Sequence, residues 1–100
     1  MEVEFRTNEL RRCYEDSARA IRRWGPDVGR RYITRIRQLY AASNFSRLYN
    51  SRALRLHALQ GRHRGKFSVY LTGRWRLIVT PGGDTEDSLT VEEVSNHYDD

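Results

Sequence analysis

The sequence has only one cysteine and one lysine among its 100 residues. A single thiol, Cys13, excludes an internal disulfide, and no spacing of cysteine and histidine resembles a zinc site. No apolar run is long enough for a membrane span or a signal peptide, so we expect a soluble, cytoplasmic protein. Repeats and low-complexity linkers are also missing, and residues 1–100 leave room for a single domain.

Acidic residues are absent from a long central stretch of the chain. Residues 51–80 carry seven basic side chains and no acid, whereas residues 81–100 carry seven acids and no base. The net charge is +5, and every basic residue except Lys66 is arginine. Segregated charge of this kind indicates a cationic surface for an anionic partner. Arginine suits that role because its planar guanidinium group can bind a phosphate at two points.

A short strand and two helices are predicted for the first part of the chain. Residues 2–6 alternate in polarity as a strand does, with Val3 and Phe5 pointing inward. The sequence WGPD at positions 24–27 ends one helix and begins the next. Apolar or small residues recur at helical spacing at Leu10, Cys13, Tyr14, Ser17, Ala18 and Ile21, and again at Val28, Tyr32, Ile33, Ile36, Leu39 and Tyr40. We expect these helices to form an antiparallel hairpin on a sheet.

Residues 54–80 contain three short runs of alternating apolar and polar residues, separated by turns that contain Gly61, Gly65 and Gly73. Successive strand residues point to opposite faces of a sheet. The side chains predicted to face the core are Leu54, Leu56, Phe67, Val69, Leu71, Trp75, Leu77 and Val79. Those predicted to face solvent or a polyanion are Arg55, His57, Ser68, Tyr70, Arg74, Arg76 and Ile78.

A final strand is predicted after the turn at positions 81–84, with Leu89, Val91 and Glu93 on its inward side. Residues 43–53 lack a clean period and are predicted to be a connection with a short helical turn. The predicted fold class is therefore α+β, with an N-terminal strand and a two-helix hairpin packed on a small twisted antiparallel sheet.

Three segments of the central region carry a resemblance to a known family. They are Leu56-His57-Ala58-Leu59-Gln60-Gly61, Gly65-Lys66-Phe67-Ser68-Val69 and Arg74-Trp75-Arg76-Leu77. With the order of the elements and a histidine near the C-terminus, they resemble the HigB-type toxins of the RelE/ParE superfamily, which belong to type II toxin-antitoxin systems. Two positions differ from the family pattern. Gln60 stands where members commonly have lysine, and Ser95-Asn96-His97-Tyr98 stands where they often end in Asp-Tyr-His.

The resemblance implies a RelE-like fold and a metal-independent endoribonuclease that cuts mRNA in the ribosomal A site. Its implied partners are the ribosome, mRNA and a HigA-like antitoxin with a helix-turn-helix domain. Cleavage through the 2′-hydroxyl needs a base, cations around the phosphorane and an acid for the leaving 5′-oxygen. The family's roles carried over give His57 and His97 as proton-transfer residues, Arg76 as the main phosphate contact, and Tyr98 as the substitute for one histidine. The predicted RNA-binding cations are Arg55, Arg62, Arg64, Lys66 and Arg74.

Two other functions remain open from the sequence. A ParE-like relative that acts on DNA gyrase would share the fold without nuclease chemistry, and a non-toxic RNA-binding module would use the same cations only for phosphate contacts. The set of His57, Arg76 and His97 favours the nuclease. His63 is expected to be solvated or to touch phosphate, and Tyr70 to pack against a cross-strand neighbour.

Overall fold

The computed structural model of the protein describes residues 1–83 and 87–97, and it contains a five-stranded sheet packed against helices. The strands are β1 (Glu2–Phe5), β2 (His57–Ala58), β3 (Phe67–Thr72), β4 (Trp75–Pro81) and β5 (Ser88–Ser95). The helices are α1 (Asn8–Glu15), α2 (Ser17–Trp24) and α3 (Pro26–Ala41), and short 3₁₀ turns occupy Phe45–Asn50, Arg52–Leu54 and Gly61–His63. The predicted α+β class is confirmed, as is a helical turn in the connection after α3.

The sheet is mixed, with the strand order β1-β5-β4-β3-β2. Strands β2 to β5 pair antiparallel with their neighbours, as predicted, but β1 pairs with β5 in parallel. Parallel pairing needs a long crossover connection, which the helices and the three intervening strands supply here. The pairing partner of β1 is therefore nearly a whole chain length away, and no local pattern in the sequence indicates its direction.

The predicted first helix is divided into α1 and α2 at Asp16. The Asp16 carboxylate accepts hydrogen bonds from the amides of Ala18 and Arg19, and its own backbone is extended. Aspartate competes for nearby amides in this way and so favours a cap over a helix interior. The break also changes which side chains face the core. Ala20 is fully buried, whereas Ser17 and Ala18, which were predicted to point inward, are exposed.

The turn between α2 and α3 forms as the sequence predicts. Gly25 adopts a φ of +87°, which ends α2, and Pro26 is the first residue of α3. The two helices then cross at Gly29, where an added Cβ would lie 2.8 Å from the backbone carbon of Ala20. Glycine at this position therefore allows the backbones of α2 and α3 to touch.

The core lies between the helices and one face of the sheet. Its buried residues are Leu10, Cys13, Ala20, Val28, Tyr32, Ile33, Ile36, Leu39, Phe45, Leu48, Leu54, Leu56, Val69, Leu71, Leu77, Val79, Leu89 and Val91. Val3, Phe5, Phe67 and Trp75 are half-buried and pack at its margin. The predicted inward side chains of residues 54–80 thus all contribute to the core, and the functional residues are left to the other face of the sheet.

Candidate active site on the sheet face away from the helices

A β-bulge in β5 decides which of its side chains point away from the core. Val79 of β4 pairs with Val91, but the preceding residue of β4, Ile78, pairs with Glu93. Glu92 is therefore an extra residue in β5. The prediction that Glu93 points inward was wrong, because regular alternation holds only while each residue of a strand opposes one residue of its partner strand.

The bulge brings the end of β5 to the face away from the helices. Val94 packs against the core, while Glu93, Ser95 and His97 line a pocket of about 230 Å³. The Ser95 Oγ accepts a hydrogen bond from the His97 amide at 3.0 Å, which holds the chain in a turn at the histidine. Serine and aspartate side chains both make turns of this kind.

The opposite wall of this pocket comes from the loop of residues 59–66, which connects β2 and β3. The Leu59 amide donates to the Lys66 carbonyl at 2.9 Å and so closes the loop at its base. Within the loop, Arg62 and His63 line the same pocket as the β5 residues. The loop therefore folds across the sheet face towards β5 instead of extending from its edge.

This loop makes the exposed face smaller than the sequence predicts. Ser68 and Ile78 were expected to be open to solvent, but both are fully buried at the centre of this face. Leu59 is also buried, at 7% exposure, and lies outside the main core cluster. A loop with two glycines is typical of a simple hairpin turn. Here the loop folds back over the sheet, and the burial of the apolar side chains of Leu59 and Ile78 favours this arrangement.

An arginine and tyrosine stack lies on the same face of the sheet as the pocket. The guanidinium groups of Arg55 and Arg76 lie 4.5 and 4.9 Å from the centre of the Tyr70 ring. Arg76 also donates to the Gly73 carbonyl at 2.9 Å. In the sheet Arg76 is the direct cross-strand partner of Ser95, which lines the pocket. The Arg76 backbone is therefore paired with a residue that lines the pocket, and its guanidinium group is held by the Tyr70 ring and the Gly73 carbonyl.

Arg55 also orients His57. The predicted strand through positions 54–56 is replaced by the 3₁₀ turn Arg52–Leu54 and by a left-handed Arg55, so only His57 and Ala58 pair with β3. Arg55, with a φ of +45°, is the one non-glycine residue with positive φ in the described part of the chain. Its carbonyl lies 2.9 Å from the His57 Nδ1, so this nitrogen carries a proton, and the Nε2 of the same ring is shielded from solvent.

The two histidines predicted to share proton transfer lie in different places. The register joins His57, Ser68, Ile78 and Glu93 in one row across β2, β3, β4 and β5. Three interstrand spacings separate the ends of this row, which is roughly 14 Å. His63, and not His57, shares the pocket with His97.

Glu93 is the site residue that the sequence analysis missed, and His63 was expected only to be solvated or to touch phosphate. Two adjacent glutamates in an otherwise alternating strand were the available signal for a bulge. For His63 the signal was weaker, because only the fold of the 59–66 loop brings it to β5.

Of the predicted RNA-binding cations, only Arg62 lines the pocket. Arg64 and Arg74 are exposed and Lys66 is half-buried, while Gln60 is exposed at the start of the Gly61–His63 turn. Tyr98 lies outside the described residues. In the ranges 1–83 and 87–97, no three His, Cys, Asp or Glu side chains are placed to hold a metal ion. Over the same residues, no helix combines the length and apolar character needed to cross a membrane.

Comparison with known proteins identifies the fold. No family model matches the sequence, and no curated protein sequence matches it. A YoeB/ParE toxin from Agrobacterium tumefaciens superposes with a TM-score of 0.64 at 19% identity, covering 98% of this chain and 100% of that one. YafQ from E. coli strain BL21(DE3) superposes with a TM-score of 0.54 at 15% identity, covering 96% and 92%. The protein therefore has the fold of the YoeB/ParE toxin and YafQ, which confirms the RelE-like fold implied by the sequence.

Proposed function

We propose that this protein is the toxin of a type II toxin-antitoxin system, of the HigB type, and that it cleaves mRNA on the ribosome. The observation that carries the proposal is the pocket in which Arg62, His63, Glu93 and His97 lie together, with Arg76 paired in the sheet with Ser95, which lines the same pocket. Cleavage of RNA through the 2′-hydroxyl requires groups that transfer protons and cations that stabilise the charge on the phosphate. Imidazole and carboxylate groups can transfer protons, and fixed arginines can bind a phosphate. The fold shared with a YoeB/ParE toxin supports the role of toxin.

In this proposal Arg76 binds the scissile phosphate and His97 gives a proton to the leaving 5′-oxygen. His57 and Tyr98, which follows His97 in the sequence, are the candidates for the second proton transfer. The remaining predicted cations contact neighbouring phosphates of the mRNA: Arg55, Arg62, Arg64, Lys66 and Arg74. No metal ion takes part, so the upstream product ends in a 2′,3′-cyclic phosphate or its 3′-phosphate.

The proposed partners are the ribosome, mRNA and a HigA-like antitoxin with a helix-turn-helix domain, and the proposed place of action is the cytoplasm. The net charge of +5 and the acid-free stretch of residues 51–80 support an RNA partner. A tight complex with the antitoxin is expected to suppress cleavage. Coexpression with the product of the neighbouring gene tests this, and growth arrest that persists in the presence of that product would contradict the partner.

The activity is tested by inducing the protein in bacteria and mapping the ends of ribosome-bound mRNA by primer extension. We expect His97→Ala to slow cleavage by roughly two to four orders of magnitude, the usual loss for a general acid or base. Arg76→Ala should abolish growth arrest while the protein still folds. Arg37→Ala is the matched control, because Arg37 is exposed on α3 and does not line the pocket.

Two further measurements separate this function from its alternatives. Cleavage should persist in EDTA with the ribosome intact, and a 2′-deoxy substitution at the cut site should block it. The name of the Agrobacterium toxin includes ParE, so DNA supercoiling by gyrase should be measured with the same protein. Inhibition of gyrase without mRNA cleavage would establish the ParE-like alternative, and RNA binding without growth arrest would establish a non-toxic RNA-binding module.

A further inference from the structure

The bulge in β5 has a chemical consequence for the pocket. In a strand without the extra residue, the side chains at positions 93 and 95 would point into the core with Val91. A carboxylate buried there would be costly without a partner. With the extra residue, Glu93 and Ser95 face the pocket and Val94 fills the core position. Bulges next to active sites commonly re-aim side chains in this way.

The two neighbouring glutamates of β5 have different surroundings. Glu92 accepts a hydrogen bond from the Thr80 hydroxyl at 2.8 Å, and its carboxylate lies 3.6 Å from the guanidinium of Arg6. Glu92 is therefore held towards β1 and does not line the pocket. Glu93 is also half-buried, but it lines the pocket with Arg62 and His97. The chain thus places the carboxylate of position 93 in the pocket and that of the preceding position, 92, outside it.

In RNA cleavage the attacking 2′-oxygen and the leaving 5′-oxygen are both bonded to one phosphorus atom in the transition state, so the base and the acid must lie beside the same phosphate. Glu93 and His97 share a pocket, whereas His57 lies roughly 14 Å across the sheet from Glu93, at three interstrand spacings. We propose that Glu93 is the general base of the site and that His97 is the general acid. This inference rests on the proposed nuclease function and gives the second proton transfer to Glu93.

The proposed step transfers two protons and exchanges one bond. The Glu93 carboxylate takes the proton of the 2′-hydroxyl as the 2′-oxygen forms a bond to phosphorus. The bond from phosphorus to the 5′-oxygen breaks, and the His97 imidazolium gives its proton to that oxygen. Arg76 and Arg62 hold the charge on the other phosphate oxygens. The products are a 2′,3′-cyclic phosphate and a 5′-hydroxyl, and solvent returns the proton from Glu93 to His97.

The experiment compares Glu93→Gln with Glu92→Gln, which makes the same chemical change one residue away. Both are assayed in a reconstituted translation mixture with a long natural mRNA, at saturating toxin, so that the rate reports the cleavage step. We expect Glu93→Gln to cleave roughly two to four orders of magnitude more slowly than the wild type, and Glu92→Gln to cleave at close to its rate. The acidic limb of the pH–rate profile should disappear only in Glu93→Gln.

Binding of a single-stranded RNA oligonucleotide separates a chemical role from a structural one. Loss of a negative charge from a phosphate-binding surface should leave the affinity of Glu93→Gln equal or higher, although cleavage is lost. If Glu93→Gln does not fold, Glu93→Asp is used instead. It keeps the carboxylate and should retain the acidic limb with a reduced rate.

Several results would overturn the inference. One is wild-type cleavage by Glu93→Gln with an unchanged pH profile, and another is an equal loss of activity in Glu93→Gln and Glu92→Gln. An unchanged rate or a lost acidic limb in Glu93→Asp would also overturn it. So would a larger loss of activity in His57→Ala than in Glu93→Gln. A wild-type protein that cleaves no mRNA would instead remove the proposed function itself. The two failures are therefore distinguishable in one set of assays.

Discussion

Arg35 is a buried charge that ties α3 to the part of the sheet that carries the arginine and tyrosine stack. It is only 4% exposed, and burial lowers the pKa of its guanidinium. Its Nε donates to the Tyr70 carbonyl at 2.8 Å, and one of its terminal nitrogens donates to the Ala53 carbonyl at 3.0 Å. A further bond reaches the Gln38 side chain at 2.9 Å. Replacement of Arg35 by methionine keeps much of the buried volume and removes all of these donors.

The expected cost of Arg35→Met follows from these contacts. Hydrogen bonds from a charged group contribute about 1.5–3 kcal/mol each, and two backbone carbonyls lose such a donor. Burial of a charge is itself unfavourable, so its removal offsets part of this loss. We expect a net decrease of about 2–4 kcal/mol in the free energy of unfolding. For a domain of this size, such a decrease lowers the Tm by at least ~8 °C.

Urea unfolding followed by tryptophan fluorescence measures this change. The midpoint should fall with an unchanged slope, which indicates a change in stability and not in the compactness of the unfolded state. Arg37→Met is the matched control, since Arg37 is exposed on the same helix and should change stability by no more than ~0.5 kcal/mol. If the two variants unfold at the same urea concentration, the buried guanidinium does not stabilise the fold and this reasoning is wrong.

Two further predictions concern the helices. Gly29→Ala would place a Cβ 2.8 Å from the backbone of Ala20, so overpacking of ~1–3 kcal/mol should outweigh the ~1 kcal/mol gain in helix propensity, and an unchanged urea midpoint would contradict this. Burial, and then the hydrogen bond to Glu9, raise the pKa of the Cys13 thiol above 9.0. The folded state holds this proton more tightly than the unfolded state does. The contribution of the thiol to the free energy of unfolding should therefore be fully present below pH 9.0 and be lost as the pH rises through the raised pKa. Urea midpoints of wild type and Cys13→Ala should therefore converge at alkaline pH, and parallel pH curves would refute this assignment.

Local patterns in the sequence predicted most of the elements correctly. The WGPD turn is formed by Gly25 and Pro26, whose conformational preferences act within a few residues. The predicted strands around Val69 and Leu77 formed because alternation expresses the requirement for one buried face. Where a single side chain competes with the periodic pattern, as Asp16 does, the prediction failed, since its carboxylate can cap a new helix inside an apparently continuous one.

The site was less predictable than the fold. The cations and His97 stand out by residue type, but the partners of His97 depend on two features that involve distant segments. One is the bulge opposite Ile78, which depends on pairing between β4 and β5. The other is the fold of the 59–66 loop, in which Leu59 is buried and His63 reaches the pocket beside β5. Neither feature follows from the local period of the chain.

The sequence by itself determined most of the helices and strands, most of the apolar residues that are buried, and that the basic residues collect in one part of the chain. These properties follow from short-range preferences and from the need to bury apolar surface. Only the tertiary structure decided that β1 pairs in parallel with β5, that Glu93 faces outward, and that His63 meets His97. Those outcomes depend on contacts between residues far apart in the chain, and such contacts form only when the complete sheet and its covering loop are assembled.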